Sequence, residues 1–494
     1  MIKENQSNFH QALWLGVGQL CSFAIAFVTA PILVRYFDKV EYGTYRQILY
    51  VYTSLLTLFT MGLPSVFAYF IPRLNTGQQK QLIDRLTFVF LCLGAVFSIA
   101  LFIFSDLIAE LLKNPELSFG LKLFSPFPLF TLPTMGVEGI YTAIHRTKEI
   151  AIYQVFSKIL MFVFIVSPVV IWHSSYKSAI IGWGIASFIT FIASIYLKNK
   201  PYKGIEKEMI PNMYKDIFKY SLPLTGAVAA GFFVNSADQF FVSRYYGTSI
   251  FADFSNGCLS IPIVGMIAGS VKSVLVPLFS KADAENNLSS ALESYNNAVK
   301  KTATILIPML LFFVFFAGDA ITALYGNQYV NSKNFLRIFI IRDFLQIFPY
   351  FAVLMALGYS KFYMRMHVVG IFYIWILDYI LVQLHLGAPL IVLISSMFFV
   401  GCSLSAFLYI YKKTSILLIT KDIIKYLMKM ILHCTIILCM LSYIRYQSMS
   451  NINNILALLL FGSVYYFFVI TTGKFIKIKY YESILMLINS RKNK

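Results

Sequence analysis

The chain has 494 residues, of which 58% are hydrophobic, 17% are aromatic and only 13% are charged. Soluble domains carry about 25% charged residues, so this composition excludes a set of globular domains, and it equally excludes disordered, collagenous and disulfide-rich classes. The net charge is +19, from 41 Lys and Arg residues against 22 Asp and Glu residues. The class that remains is an all-α, multi-span integral membrane protein.

Fourteen apolar runs are long enough to cross a bilayer as helices, each of which needs about 20 residues. The first is too long for the core of a signal peptide, so we interpret it as a retained span. Gly, Pro and polar residues interrupt the seventh and eighth runs. The predicted spans are 11–34, 44–71, 86–104, 121–144, 150–172, 179–197, 218–243, 250–278, 299–318, 336–358, 366–384, 387–410, 428–446 and 454–472.

Lys and Arg are unevenly distributed over the segments that join these spans. With a cytoplasmic N-terminus, the segments assigned to the inside carry roughly four times as many Lys and Arg residues as those assigned to the outside. The positive-inside rule therefore predicts that both termini are cytoplasmic. Most of the net charge is then explained by topology, so membrane lipids are expected as partners and nucleic acid is not.

The sequence lacks the common motifs for nucleotide binding and metal binding. The sequence contains no G-x-x-x-x-G-K-[ST] nucleotide-binding loop, no H-E-x-x-H and no C-x-x-C pair. We therefore expect no cofactor, no metal site and no nucleotide hydrolysis. The near-match to the paired acids of a membrane sugar transferase is Asp283-x-Glu285, in a Ser- and Asn-rich loop. A carrier is favoured over an enzyme.

Two sequence matches at nearly the same offset indicate an internal repeat. Arg35-Tyr36 corresponds to Arg244-Tyr245 at an offset of 209. Asp106-x-Ile108-x-x-Leu111-x-x-Asn114 corresponds to Asp319-x-Ile321-x-x-Leu324-x-x-Asn327 at an offset of 213. Because six spans per half is an even number, both halves run in the same direction, and a substrate site is expected at their interface.

The repeat predicts three segments along the chain. Two pseudo-symmetric six-helix bundles are expected at 1–210 and 211–415. Two additional helices and a basic cytoplasmic tail are expected at 416–494. The lysine-rich stretch 198–219 is interpreted as a solvated cytoplasmic linker between the two bundles.

Several short motifs lie near the ends of the spans. In the first half they are Pro31-Ile32-Leu33-Val34-Arg35-Tyr36-Phe37, Glu41-Tyr42-Gly43-Thr44-Tyr45 and Met61-Gly62-Leu63. In the second half they are Tyr220-Ser221-Leu222-Pro223, Asp238-Gln239, Tyr246-Gly247 and Leu324-Tyr325-Gly326-x-x-Tyr329 with Leu336-Arg337. These motifs resemble those of the bacterial polysaccharide (O-antigen-type) oligosaccharide flippases of the multidrug/oligosaccharidyl-lipid/polysaccharide (MOP) exporter superfamily.

The resemblance implies transport without covalent chemistry. An isoprenoid-pyrophosphate-linked oligosaccharide would be taken up at the inner leaflet and released at the outer leaflet, for surface polysaccharide biosynthesis. Two helical bundles would alternate access to a central, cationic cavity. Two open alternatives are an ion-coupled exporter of small molecules or drugs from the same superfamily and a membrane-embedded enzyme of polysaccharide assembly.

We single out five of the basic residues within or at the ends of the predicted spans, where a cation at a helix centre costs about 3 kcal/mol and usually faces a cavity or a partner. We interpret them as substrate-binding candidates because a pyrophosphate needs desolvated cations, and Arg offers it a planar fork. For Arg46 and Arg337 the alternative is snorkelling, in which the side chain extends to reach water at the end of its helix. The five are Arg46, Lys158, Lys272, Arg337 and Arg342.

Polar and acidic residues inside the spans are candidates for ion coupling. Asn235 and Asp238 share a helix face at i and i+3, and Asp378 lies well inside the eleventh span. A coupling proton or sodium ion is expected at these residues, with structural pairing as the alternative. The complete prediction is a monomeric carrier in the bacterial cytoplasmic membrane, driven by an ion gradient or by the membrane potential.

Overall fold

The computed structural model describes residues 2–60, 62–476, 478 and 480, and every regular element in them is helical. Met61 of the third motif and the predicted basic tail after residue 480 lie outside the described residues. The described chain divides into two compact units, one ending at Ala252 and the other beginning at Asp253. The boundary lies within a single helix, Thr248–Gly257.

The first unit is built from long helices joined by short ones. Short 3₁₀ turns lie at Ile71–Arg73, Leu132–Thr134 and Lys200–Tyr202. In chain order the helices are α1 (Ile2–Tyr36), α2 (Lys39–Thr60), α3 (Pro64–Phe70), α4 (Thr76–Ile103), α5 (Ser105–Leu111), α6 (Pro115–Phe124), α7 (Phe127–Thr131), α8 (Val137–Ala143), α9 (Thr147–Trp172), α10 (Tyr176–Asn199), α11 (Met213–Tyr245) and α12 (Thr248–Gly257), which crosses the boundary.

The second unit follows the same pattern of long and short helices, with a 3₁₀ turn at Asn327–Tyr329. Its last two helices, α20 and α21, pack on α14 and α15, so they form part of this unit. The symmetry of the two predicted halves and their boundaries stay predictions. The helices are α13 (Pro262–Ala284), α14 (Ser289–Phe315), α15 (Ala317–Tyr325), α16 (Ser332–Leu345), α17 (Tyr350–Ala356), α18 (Ser360–Gln383), α19 (Pro389–Thr414), α20 (Lys421–Ser448) and α21 (Asn454–Gly473).

Among the described residues, eleven helical segments are long and apolar enough to cross a membrane, and the bent pair formed by α2 and α3 raises the number to twelve. The all-helical, multi-span class is thereby confirmed, and the number fourteen stays a prediction. The predicted span 218–243 lies within α11, whereas 121–144 is divided into α6, α7 and α8. Prolines and a glycine with φ of +87° at Gly136 account for these breaks.

Lys198 supports the broken segment from within the first unit. Its side chain is only 1% exposed, and its Nζ donates to the carbonyl oxygen of Pro133 at 2.7 Å and to Oγ1 of Thr87 at 3.2 Å. The expectation of a solvated linker from residue 198 onward is therefore wrong for Lys198. A broken helix leaves a buried carbonyl that requires a donor, and the last turn of α10 supplies it.

Gly182 allows α9 and α10 to approach closely. A Cβ atom at Gly182 would overlap the carbonyl oxygen of Phe164, whereas a Cβ atom at Gly184 would meet nothing within 4 Å. We expect Gly182→Ala to lower the free energy of unfolding by about 1–3 kcal/mol, because the two backbones must separate. Gly184→Ala is the matched control and should be neutral or slightly stabilising, since alanine favours the helix. SDS titration in mixed micelles measures both, and equal stabilities would contradict this packing.

Candidate functional site

Arg46 and Lys158 line the same pocket of the first unit. The pocket has a volume of about 210 Å³ and lies between α1, α2, α9 and α10. Side chains of α1 and α9 form an apolar wall that includes Ile25, Leu33 and Ile165. Two of the five predicted cations are thus brought together, although they are 112 positions apart in the sequence.

Both cations lie well inside their helices. Arg46 is seven residues from the start of α2, and Lys158 is eleven residues from the start of α9. At the rise of an α-helix these positions are roughly 10 Å and roughly 16 Å from those helix ends. Both side chains are half-buried. The two cations are therefore held inside the unit, which favours a buried ligand over simple contact with water at a helix end.

The pocket is electrostatically one-sided. Among the described residues that line it, none is acidic. Within the described part of the chain, the Lys158 ammonium makes no hydrogen bond or ion pair with another side chain. A cation in an apolar setting is stabilised by an anion and by hydrogen bonds to that anion. The arrangement is suited to an anionic group carried into the membrane-spanning region.

An aromatic wall stands beside the cations. Nε1 of Trp183 donates to the hydroxyl oxygen of Tyr45 at 3.0 Å. The Trp183 ring also lies 5.0 Å from the ring of Phe127 and 5.9 Å from that of Phe124, measured between centroids. These contacts fix the orientation of the indole. Such rings offer rigid apolar faces with polar edges, and sugars bind well to surfaces of this kind.

No aromatic residue of this site is predicted from the sequence, although the spacing of residues in α2 indicates two of them. Tyr42, Tyr45, Arg46 and Leu49 follow the i, i+3, i+4, i+7 spacing of one helix face, and all four line the pocket. That spacing identifies the face of α2 that carries Arg46. The partner face of α9 cannot be identified this way, because almost every residue around Lys158 is apolar.

A buried polar network holds α2 in place next to the pocket. Nε2 of Gln47 donates to Oγ of Ser243 at 2.8 Å, and Oε1 of Gln47 accepts from Nδ2 of Asn114 at 2.5 Å. Asn114 also donates to Oγ1 of Thr44 at 3.0 Å. These bonds connect α2 with the start of α6 and with α11. They restrict rotation of α2 and so fix the direction from which Arg46 enters the pocket.

Arg342 lies in the second unit, in α16. Its Nε donates to Oγ of Ser396 at 3.2 Å, its Nη2 donates to Oγ of Ser395, and its guanidinium lies over the ring of Phe339. Asp343, the next residue, points elsewhere and accepts from Ser260 Oγ at 3.0 Å. These two consecutive residues of α16 therefore contact different partners.

The other two basic candidates also belong to the second unit, in different surroundings. Lys272 is exposed on α13, with its Nζ 4.5 Å from the centre of the Phe351 ring. Arg337 is exposed near the start of α16, and its Nε donates to the carbonyl oxygen of Val314 at 3.0 Å. Neither residue lines the pocket that contains Arg46 and Lys158.

The three ion-coupling candidates differ in burial. Asp238 is 4% exposed in α11, and Asp378 is fully buried in α18. Asn235 is exposed, and its Nδ2 donates to the carbonyl oxygen of Gly231 on the same helix at 2.8 Å. The shared face of Asn235 and Asp238 therefore places one side chain at the surface and the other inside. Burial at this level is expected for Asp238 and Asp378 if they serve as ion sites.

Comparison with known proteins reveals a family and a fold. A family model described as polysaccharide biosynthesis protein matches residues 9–283. The succinoglycan biosynthesis transport protein ExoT of Rhizobium meliloti (strain 1021) is 23% identical over 327 residues, which cover 65% of this chain and 63% of ExoT. The match thus spans less than two thirds of the length of that relative.

Two solved structures share the fold. The lipid II flippase MurJ, in an inward closed conformation, has a TM-score of 0.72 at 17% identity, covering 94% of this chain and 100% of that one. A multidrug resistance MATE family transporter of the MOP superfamily, in an inward-facing conformation, has a TM-score of 0.59 at 13% identity, covering 81% of this chain and 94% of that one. At these identities the likeness establishes the fold alone, which this chain shares with both proteins.

Proposed function

Because the chain belongs to the polysaccharide biosynthesis protein family, we propose that it is a flippase for an isoprenoid-pyrophosphate-linked oligosaccharide. In this proposal it moves the lipid-linked sugar from the inner to the outer leaflet of the bacterial cytoplasmic membrane by alternating access. The observation that carries the proposal is the pocket that both Arg46 and Lys158 line, with Trp183 and Tyr45 beside them. The names of two similar proteins, a succinoglycan biosynthesis transport protein and a lipid II flippase, support the same class of substrate.

The pocket offers complementary groups to both polar parts of such a substrate. A pyrophosphate is multiply charged, and hydrogen bonds from Arg and Lys to phosphate are among the strongest in proteins. The planar guanidinium of Arg46 suits two phosphate oxygens at once, and the ammonium of Lys158 acts as a compact point charge. The Trp183 and Tyr45 rings stand where a sugar next to the pyrophosphate would pack.

We further propose that the protein acts as a carrier and not as an enzyme. An ion gradient or the membrane potential would supply the driving force, with Asp238, Asn235 and Asp378 as the proposed ion-coupling residues. Lys272, Arg337 and Arg342 stay proposed contacts for the anionic headgroup at other stages of transport. A monomer with both termini in the cytoplasm is the proposed form.

A reconstituted assay tests the proposed function. Purified protein in liposomes receives a fluorescent polyprenyl-pyrophosphate oligosaccharide, and a membrane-impermeant quencher reports which leaflet holds the label. We expect the labelled lipid to be transferred between leaflets only when the protein is present. A polyprenyl-linked neutral sugar without pyrophosphate should be transferred at a lower rate. Equal transfer of the neutral lipid would contradict a site built for an anion.

The same liposomes distinguish the alternative of drug export. The fold is shared with a multidrug transporter, so a cationic dye is the appropriate second probe. Two cations in the pocket should repel such a dye. Protein-dependent dye transport without transfer of the pyrophosphate lipid would replace the flippase proposal with the exporter.

A further inference from the structure

A second basic pocket lies within the second unit. It has a volume of about 340 Å³ and lies where α15, the start of α16, the end of α20 and the start of α21 meet. Three cations line it, namely Lys333, Arg337 and Arg445, together with a single carboxylate from Asp319 among the described residues. The lining therefore carries a net charge of +2.

The carboxylate is already engaged by one of the three cations. Nη2 and Nε of Arg445 donate to Oδ1 of Asp319 at 2.7 Å and 3.0 Å, and both side chains are almost fully buried. The hydroxyl of Tyr446 donates to Oδ2 of Asp319 at 3.0 Å. Asp319 is therefore neutralised locally, and the surplus positive charge of the pocket belongs to the other two residues.

Lys333 and Arg337 face the pocket without a counter-ion. They stand at i and i+4 of α16, so their charges lie on one helix face, where like charges repel. In the described part of the chain, Lys333 makes no side-chain hydrogen bond or ion pair, and Arg337 uses only its Nε, on the carbonyl oxygen of Val314. Both terminal amino groups of the Arg337 guanidinium are left for a ligand.

Neutral polar groups complete the lining. Asn327 and Ser450 contribute an amide and a hydroxyl group. Asn454 accepts from Arg445 through its Oδ1 at 3.0 Å, which leaves its amide N–H groups as donors. A planar fork, an ammonium and neutral donors around one space form the combination that binds phosphate in proteins.

We propose that this pocket binds a phosphate-bearing anion, held by Lys333 and Arg337. The ends of apolar helices lie near the level of lipid headgroups, and basic pockets between membrane helices bind the headgroups of anionic lipids. The bound phosphate belongs either to an anionic lipid or to a soluble phosphate ion. This site is separate from the pocket of Arg46 and Lys158, and its occupancy is tested without a measurement of transport.

Thermal unfolding of the full chain in nanodiscs tests the proposal, because a ligand that binds only the folded state raises the unfolding midpoint. In one arm, inorganic phosphate is titrated into nanodiscs of neutral phosphatidylcholine at constant ionic strength. In the other, phosphatidylglycerol replaces part of the phosphatidylcholine in phosphate-free buffer. A rise in the first arm identifies soluble phosphate as a ligand, and a rise in the second arm alone identifies the lipid headgroup.

Variants assign the effect to this pocket. Lys333→Gln with Arg337→Gln should weaken the binding about tenfold or more, because charge-assisted hydrogen bonds to phosphate are lost. Lys333→Gln alone removes no hydrogen bond between protein side chains, so it should fold normally and still weaken the binding.

Lys361→Gln with Arg365→Gln is the matched control, since it removes another exposed Lys–Arg pair at i and i+4 within the same unit. It should retain the full shift. The proposal is overturned if the wild-type protein shows no rise in either arm, or if Lys333→Gln keeps the whole shift. It is also overturned if the control variant loses the shift equally.

Discussion

Replacing Arg46 and Lys158 together by glutamine is expected to lower the rate of leaflet transfer about 100-fold or more. Each hydrogen bond to a charged group contributes about 1.5–3 kcal/mol, and each 1.4 kcal/mol corresponds to a factor of ten. Both residues line one pocket, so one anionic group can contact both of them. The quencher assay in liposomes measures the effect with the polyprenyl-pyrophosphate oligosaccharide as substrate.

Two kinds of control accompany this variant. Arg46→Lys keeps the charge but loses the planar fork, so an intermediate rate is expected. Lys148→Gln removes an exposed cation from the first turn of α9, outside the pocket, and should transport at the normal rate. A normal rate in the Arg46→Gln, Lys158→Gln variant, or an equal loss in Lys148→Gln, would show that this pocket does not bind the substrate.

The helices themselves could be predicted from the sequence because their signal is local. Long apolar runs must form helices in a bilayer, where each backbone polar group needs a partner within its own segment. The positions of Arg46 and Lys158 inside spans follow from the same pattern. Their meeting in one pocket does not, because it depends on how α1, α2, α9 and α10 pack, and apolar runs carry little periodicity to specify contacting faces.

The burial of Lys198 could not be predicted from the sequence, for a different reason. Its position at the end of an apolar run, among other lysines, is typical of a solvated loop. Its burial follows from the break of the segment 121–144 at Pro133, which is distant in the sequence. The carbonyl oxygen of Pro133 accepts a hydrogen bond from the Lys198 ammonium. Proline spacing predicts a broken helix, but it does not reveal which distant side chain supplies the missing donor.

Two acids that correspond in the predicted repeat, Asp106 and Asp319, differ in their surroundings. Asp106 and Asp319 correspond in sequence, yet Asp106 is exposed, accepts from Ser118 and binds Lys122 at 2.9 Å. Hydrogen bonds from Ser118 and then Lys122 lower the pKa of the Asp106 carboxyl. Asp319 instead is buried against Arg445, which comes from one of the two additional helices. Asp319 thus attaches α20 to α15 through its ion pair with Arg445.

Arg445→Leu is therefore expected to destabilise the second unit by about 3–5 kcal/mol, because it leaves the Asp319 carboxylate buried without its partner. The substitution also removes the donor to the Oδ1 of Asn454 and to the carbonyl oxygen of Ile452, which hold the turn before α21. SDS titration of the full chain in mixed micelles, without phosphate or anionic lipid, measures the free energy of unfolding.

Two further variants identify the origin of that loss. Adding Asp319→Leu to Arg445→Leu should recover most of the stability, since an apolar pair can replace a buried ion pair at little cost. Asp106→Asn is the matched control at the corresponding position of the repeat, and it should show no resolvable change because its ion pair is exposed to solvent. If Arg445→Leu unfolds at the same SDS concentration as the wild-type protein, the ion pair does not hold α20 to α15, and the additional helices are attached by their other contacts with α14 and α15.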